Sequence, residues 1–359
     1  ERRSIIGEFA SEREECNAAG SRRRMTAGSL IVLHRTKERK RGGHSAQAAI
    51  RRRIQHRHGW LIRERGMSNA TEETLHCMEI LGGNRAARRF VHAPGVDVWI
   101  DSRPLDAGAG GGDVHYVSTC GGGQVTRLAL ADVAGHGGSV DSLAVFLRKL
   151  MRKYINTLNQ TRFAQALNKE FAVAVESGRF ATALLLTYFT PTGHLIVCNA
   201  GHGRPLRYSA RRDAWESLDL DKAGDCSSVK TSKVRYHFER VANLPLGVLD
   251  PIEYEQFAID FEGGDLVLLY TDAVVEGEDA EGRQLGESGL LALLAEVGSV
   301  DIQDLGERLL EALAARRGAR LPADDQTLIL LKRTDAPAPG LAVMRTVSTV
   351  AKMLGLRRD

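Results

Sequence analysis

The sequence predicts an α+β domain, a sandwich of antiparallel sheets with helices on the outside. Three observations predict it. Strand-like runs come in two groups, each followed by a pair of helical runs, and a last strand closes the order. Neighbouring strand runs are separated by glycine-rich turns, as hairpins require. Hydrophobic residues make up 43% of the 359, enough for a full core.

Val96 to Ile100 alternates as a strand. Val114 to Thr119 and Val125 to Ala131 follow, split by the turn Gly121-Gly122-Gly123. Over 139–158, Leu143, Phe146, Leu147, Leu150, Met151 and Tyr154 recur at helical spacing behind Ser139, a helix cap. Residues 161–177 repeat the pattern with Phe163, Leu167, Phe171 and Val175. Ala183 to Phe189 and Leu195 to Asn199 flank Pro191-Thr192-Gly193 as a second hairpin, and Arg204 to Tyr208 comes next. Residues 210–240 are polar and read as a long loop or flap. Tyr254 to Phe261, Asp265 to Tyr270 and Thr327 to Leu331 complete the strands, with helices near 286–297 and 301–317 before the last.

The two ends differ from this body. Residues 1–66 hold 17 Lys and Arg against 7 acidic residues, +10, while the remainder holds 32 against 38, −6. With Arg22-Arg23-Arg24 and Arg51-Arg52-Arg53 and few sustained apolar periods, 1–70 reads as a basic, disordered extension. A nucleic-acid or anionic-membrane arm is the alternative, through 1–66 alone. Met67-Ser68-Asn69 before Ala70-Thr71-Glu72-Glu73 resembles a natural start with a helix cap. Residues 334–359 read as a linker, Pro337-Ala338-Pro339, and an amphipathic helix from Leu341 to Arg358. No apolar stretch approaches the ~20 residues of a membrane span. Cys16, Cys77, Cys120, Cys198 and Cys226 are scattered, which excludes a CxxC zinc site and predicts a reducing, cytoplasmic setting.

Four acids stand at strand boundaries: Asp113 after Gly111-Gly112, Asp132 in Asp132-Val133-Ala134-Gly135-His136-Gly137-Gly138, Asp272 after Tyr270-Thr271, and the pair Asp324-Asp325 before Thr327. Each alone is an ordinary turn or cap. Four in one domain can converge, and carboxylates brought together need hard cations such as Mg²⁺ or Mn²⁺. The set predicts a two-metal hydrolytic site.

In this order, and with Phe180-Ala181-Thr182-Ala183, Asn199-Ala200-Gly201-His202 and Leu244-Pro245-Leu246-Gly247, the blocks resemble the SpoIIE/RsbU-type serine phosphatases of the metal-dependent, type 2C-like (PPM) superfamily. The resemblance covers roughly 75–333. It implies an αββα sandwich and two Mn²⁺ or Mg²⁺ ions, with Asp132 bridging them and the Val133 carbonyl on one. It places Asp272 and Asp324 on the other ion, with Asp325 the runner-up to Asp324, and Asp113 ligating directly or through water. His136 is the candidate to assist the leaving group, and His202 reads as a packing or turn residue. The implied substrate is a phosphorylated regulatory protein of the anti-sigma-factor antagonist kind. Two departures stand out. Ala273 replaces the glycine usual after the third acid, and Asp113-Val114-His115-Tyr116 lacks the second acid of the first block. They motivate the alternative of a catalytically silent, partner-binding domain on the same fold.

Overall fold

A computed structural model describes residues 70–335 apart from 107–109, 136–137, 176–177, 219–242, 299, 319 and 321–322; at 138, 139 and 141 only the backbone is described. The basic segment up to residue 69, the C-terminal linker and helix, and His136 lie outside the described residues.

Seven strands form one sheet in the order β1-β3-β4-β13-β12-β9-β10. They are β1 (Thr71–Thr74), β3 (Ala87–Ala93), β4 (Val96–Arg103), β9 (Leu206–Ser209), β10 (Ala214–Ser217), β12 (Leu266–Tyr270) and β13 (Gln326–Arg333). The second sheet runs β11-β8-β7-β6-β5-β2, from β2 (Ile80–Gly83), β5 (Val114–Cys120), β6 (Val125–Val133), β7 (Ala181–Phe189), β8 (His194–Ala200) and β11 (Gln256–Asp260). The turn between β5 and β6 has φ of 63°, 70° and 86° at Gly121, Gly122 and Gly123, a left-handed run that side chains with a Cβ resist.

Three apolar layers make this an αββα sandwich. Helices α1 (Gly138–Tyr154) and α2 (Gln160–Ala174) pack Leu147, Met151, Phe163, Leu167 and Phe171 on Ala129, Ala131 and Leu185 of the second sheet. Between the sheets, Val98, Ile100, Val267, Leu269 and Ile329 meet Leu128, Leu130, Leu184, Leu186 and Val197. On the far side, α4 (Gly286–Val297) and α5 (Ile302–Arg317) bring Leu290, Leu294, Leu305 and Leu309 against Trp99, Leu268, Leu328 and Leu330. Asp301 caps α5 by accepting from the Gln303 and Asp304 amides, and Gly298 ends α4 in the left-handed conformation. Among the described residues, no helix is long and apolar enough to cross a membrane.

Five elements differ from expectation. Residues 71–74, expected after a helix cap, form β1 and pair with β3. That pairing is parallel, an exception in otherwise antiparallel sheets. Strands β2, β3 and β10 were not expected. Strand β10 lies in the stretch read as loop, and it forms because Trp215 and its neighbours pair with β9 in register. A short helix α3 (Asp272–Glu276) begins at the third acid.

The apolar layer between the sheets turns polar at one end. On β6 the inward positions Leu128 and Leu130 are followed by Asp132; on β7 Thr182 precedes Leu184. On β8 Val197 is followed by Asn199, and beyond Leu269 of β12 stands Thr271. Asp132 lies opposite Thr182, and Thr327 opposite Ser102. Side chains on one face of a strand repeat every second residue, so strands in register place their polar ends together.

Candidate metal centre

Asp113 is buried, 3% exposed, just before β5. Its Oδ2 accepts the Thr271 hydroxyl at 3.0 Å. The Thr271 oxygen in turn accepts the Thr327 amide at 2.9 Å, so one hydroxyl joins three chain segments. Asp113 Oδ1 is buried without a hydrogen-bond partner. Burial, then the charge of Asp132, hold the Asp113 carboxyl well above the usual carboxylate range, against the lowering effect of hydrogen bonds from Thr327 and Thr271.

Asp132 ends the inward face of β6. Burial pushes its carboxyl up to about 7, helped by the negative charges of Asp272, Asp324, Asp325 and Glu276. These acids come from α3 and from the segment before β13, over 130 residues away in sequence, so the fold brings their charges within electrostatic reach of Asp132. Asp272 and Asp324 are exposed. Ala273 lies inside α3, where any L-residue fits the helical backbone, so its methyl group imposes no strain beside the third acid.

The loop before Asp113 lies close against the other acids. The Val133 amide donates to the Gly112 carbonyl at 3.4 Å. A Cβ at Gly112 would come 3.3 Å from the Val133 carbonyl oxygen and 3.5 Å from Asp132 Oδ1. Asp325 holds the loop from the other side: its Oδ1 accepts the Leu105 amide at 2.6 Å and its Oδ2 the Gly112 amide at 2.5 Å. A Cβ at Gly111 would sit 2.5 Å from Asp325 Oδ2, so only glycine allows this approach. Of the adjacent acids, Asp325 is thus engaged as an anchor, while Asp324 accepts the Asp325 amide at 2.8 Å through Oδ1.

His202 is a strut between the sheets. Its Nδ1 meets the Thr182 hydroxyl at 2.7 Å and its Nε2 the Tyr270 carbonyl at 3.0 Å. A carbonyl only accepts, so Nε2 carries the proton and Nδ1 accepts from Thr182. Asn199 fixes the turn by accepting the His202 amide at 2.7 Å and donating to its carbonyl at 2.9 Å. Burial pushes the imidazole down to about 4, so it is neutral at pH 7. The Asn199-Ala200-Gly201-His202 block is therefore a positioning element, as the sequence suggested. Thr271, Thr327 and Thr182 were missed as supporting residues; threonine at the inward end of an apolar strand was the available signal.

Among the described residues, no three His, Cys, Asp or Glu side chains close on one point as a finished cation cage. The charges of Asp272, Asp324, Asp325 and Glu276 instead bear on the buried Asp132 carboxyl. The donor set is all oxygen, and Asp113 Oδ1 is a buried acceptor with nothing to accept from. Both features fit Mg²⁺ or Mn²⁺.

The chain is 24% identical over 208 residues to phosphoserine phosphatase RsbU of Bacillus subtilis, covering 58% of this chain and 55% of that one. It is 23% identical over 209 residues to phosphoserine phosphatase RsbP of the same organism, covering 57% and 45%. The chain thus spans about half the length of the curated relatives it matches. Among solved structures, the RsbU and RsbW domains of Rv1364c from Mycobacterium tuberculosis share the fold with a TM-score of 0.55 at 22% identity, over 73% of this chain and 70% of that one. The PP2C phosphatase domain of SpoIIE from Bacillus subtilis does so with a TM-score of 0.53 at 14% identity, over 72% and 71%. The fold is that of the PPM phosphatases. The family model described as Stage II sporulation protein E (SpoIIE) matches residues 122–334, and the chain belongs to that family.

Proposed function

We propose that this chain is a divalent-metal-dependent protein serine/threonine phosphatase. The observation that carries the reading is the buried Asp132 carboxyl, raised to about 7 by burial first and then by the charges of Asp272, Asp324, Asp325 and Glu276. Such an array favours bound cations over isolated charges. The names of the curated relatives, both phosphoserine phosphatases, support the same reaction.

Asp132 would bridge two Mn²⁺ or Mg²⁺ ions, with the Val133 carbonyl on one, Asp272 and Asp324 on the other, and Asp113 at the edge. Bound there, the ions supply an activated water and offset the charge of the phosphoryl group. The chain's own residues set the geometry. Thr271 orients Asp113. The His202 strut ties the strand position opposite Asp132 to the residue before Thr271. Asp325 keeps the glycine loop against Val133. His202 has both ring nitrogens engaged and stays out of proton transfer, whereas His136 remains the candidate to protonate the leaving seryl oxygen. The substrate we infer is a phosphorylated regulatory protein of the anti-sigma-factor antagonist kind, in the cytoplasm, with the phosphatase domain over 75–333.

Release of phosphate from a phosphoserine peptide by the purified chain in Mn²⁺ tests the reading. The parent should exceed Asp272→Asn by ~10²-fold or more. Equal rates would leave a silent partner-binding domain.

A further inference from the structure

We propose that Asn84 is a positioning residue for the metal-ligating carboxylate Asp113, acting through the glycine loop that delivers it. This rests on the metal-dependent reading above and extends it to a residue ahead of the family match, which starts at residue 122.

Asn84 follows β2 and is buried, 4% exposed. It grips Gly111 twice: its carbonyl accepts the Gly111 amide at 2.8 Å, and its Nδ2 donates to the Gly111 carbonyl at 3.1 Å. Its Oδ1 accepts from Arg148 Nη1 of α1 at 3.0 Å. A carbonyl only accepts and a guanidinium only donates, so the amide has one possible orientation. A Cβ at Gly110 would fall 2.9 Å from the Asn84 carbonyl oxygen, so the loop lies directly on this residue.

Gly111 is therefore clamped between Asn84 on one side and the Asp325 carboxylate on the other, two residues before Asp113. A loop of consecutive glycines has little stiffness of its own. Its position must come from what holds it, and Asp325 alone fixes one side. Asn84 supplies the opposing contact and so sets where the Asp113 carboxylate stands. Partners that orient a metal ligand without touching the ion commonly carry 10–100-fold of affinity.

The variant Asn84→Asp keeps the size and the Arg148 contact but removes the donor to Gly111. Titration calorimetry with Mn²⁺ alone, on the full chain, should show ~10-fold or more weaker binding than the parent. The melting temperature in EDTA should drop by a few degrees at most, because packing and the Arg148 tie survive while the Gly111 carbonyl loses its donor. Should Asn84→Asp fail to fold, Arg148→Gln, which frees the Asn84 amide to turn, should weaken Mn²⁺ binding in the same direction. Unchanged Mn²⁺ affinity in the folded variant, beside a parent that binds Mn²⁺, would overturn the role of Asn84 alone. A parent that binds no Mn²⁺ would overturn it together with the metal-dependent reading.

Discussion

The Thr271 hydroxyl donates to Asp113 Oδ2 at 3.0 Å, although the two residues are 158 apart in sequence and adjoin strands of different sheets. Thr271 occupies the N-cap position of α3, yet its side chain does not cap that helix. The hydroxyl is spent on Asp113 and on accepting the Thr327 amide. Thr271→Val should therefore weaken Mn²⁺ binding or activity by ~10–100-fold. It should also cost about 1–3 kcal/mol of stability, because the buried Thr327 amide loses its side-chain acceptor. Thr271→Ser should restore most of both, as Mn²⁺ titration and urea unfolding will show.

Asp132 makes the metal-free protein sensitive to rising pH. Its folded value of about 7 lies above the ~3.9 of an unfolded aspartate. The folded state holds the proton more tightly, so this contribution is complete below pH ~4 and is lost as pH climbs through 7. In EDTA, the melting temperature of the parent should fall relative to Asp132→Asn between pH 5 and 8. Saturating Mn²⁺ should remove that fall. A parallel pH course for the two proteins would show that neither burial nor the neighbouring carboxylates hold the Asp132 carboxyl up.

His202 acts with the opposite sign. Its folded value of about 4 lies below the ~6.5 of an unfolded histidine, so the unfolded chain takes up the proton first. Stability is lost as pH falls from 6.5 to 4, by at most about 3 kcal/mol. His202→Gln should lose this acid slope while being less stable at pH 7, since the Thr182–Tyr270 tie is weakened. Denaturant unfolding at a series of pH values checks both.

Asp324 and Asp325 should separate cleanly. Asp325 accepts two backbone amides, bonds to a charged acceptor that are each worth about 1.5–3 kcal/mol. Asp325→Asn should lower the melting temperature in EDTA. Asp324→Asn should leave that temperature nearly unchanged or raise it, while abolishing the stabilisation that Mn²⁺ gives the parent. The reverse pattern would exchange their roles.

Much of this was legible in the chain. Helices α4 and α5 were read almost to the residue because Asp301 and Gly298 mark their ends and their apolar positions keep a 3.6-residue period. The candidate acids stood out in the sequence because they lie at the boundaries of apolar strand runs. Strands β1, β2 and β10 are four residues long, too short for an alternation to declare itself, and β3 mixes Arg88 and Arg89 with Phe90 and Val91. Their pairing with neighbours, not their own pattern, makes them strands. Asn84 carries no local signal: its meaning lies in a partner 27 residues away. Thr271 offers only its place at the inward end of an apolar strand, and its partner Asp113 is 158 residues away. Ala273, a departure from the family pattern, sits without backbone strain because α3 begins at Asp272, which the short run after Tyr270 did not reveal.

The most direct test of the central claim is anomalous X-ray scattering at the manganese edge from crystals of the chain soaked in Mn²⁺. Two peaks beside Asp132 are predicted, one reached by the Val133 carbonyl and the other by Asp272 and Asp324, with neither present in Asp132→Asn. No peak at this end of the sandwich, or peaks that persist in Asp132→Asn, would contradict it.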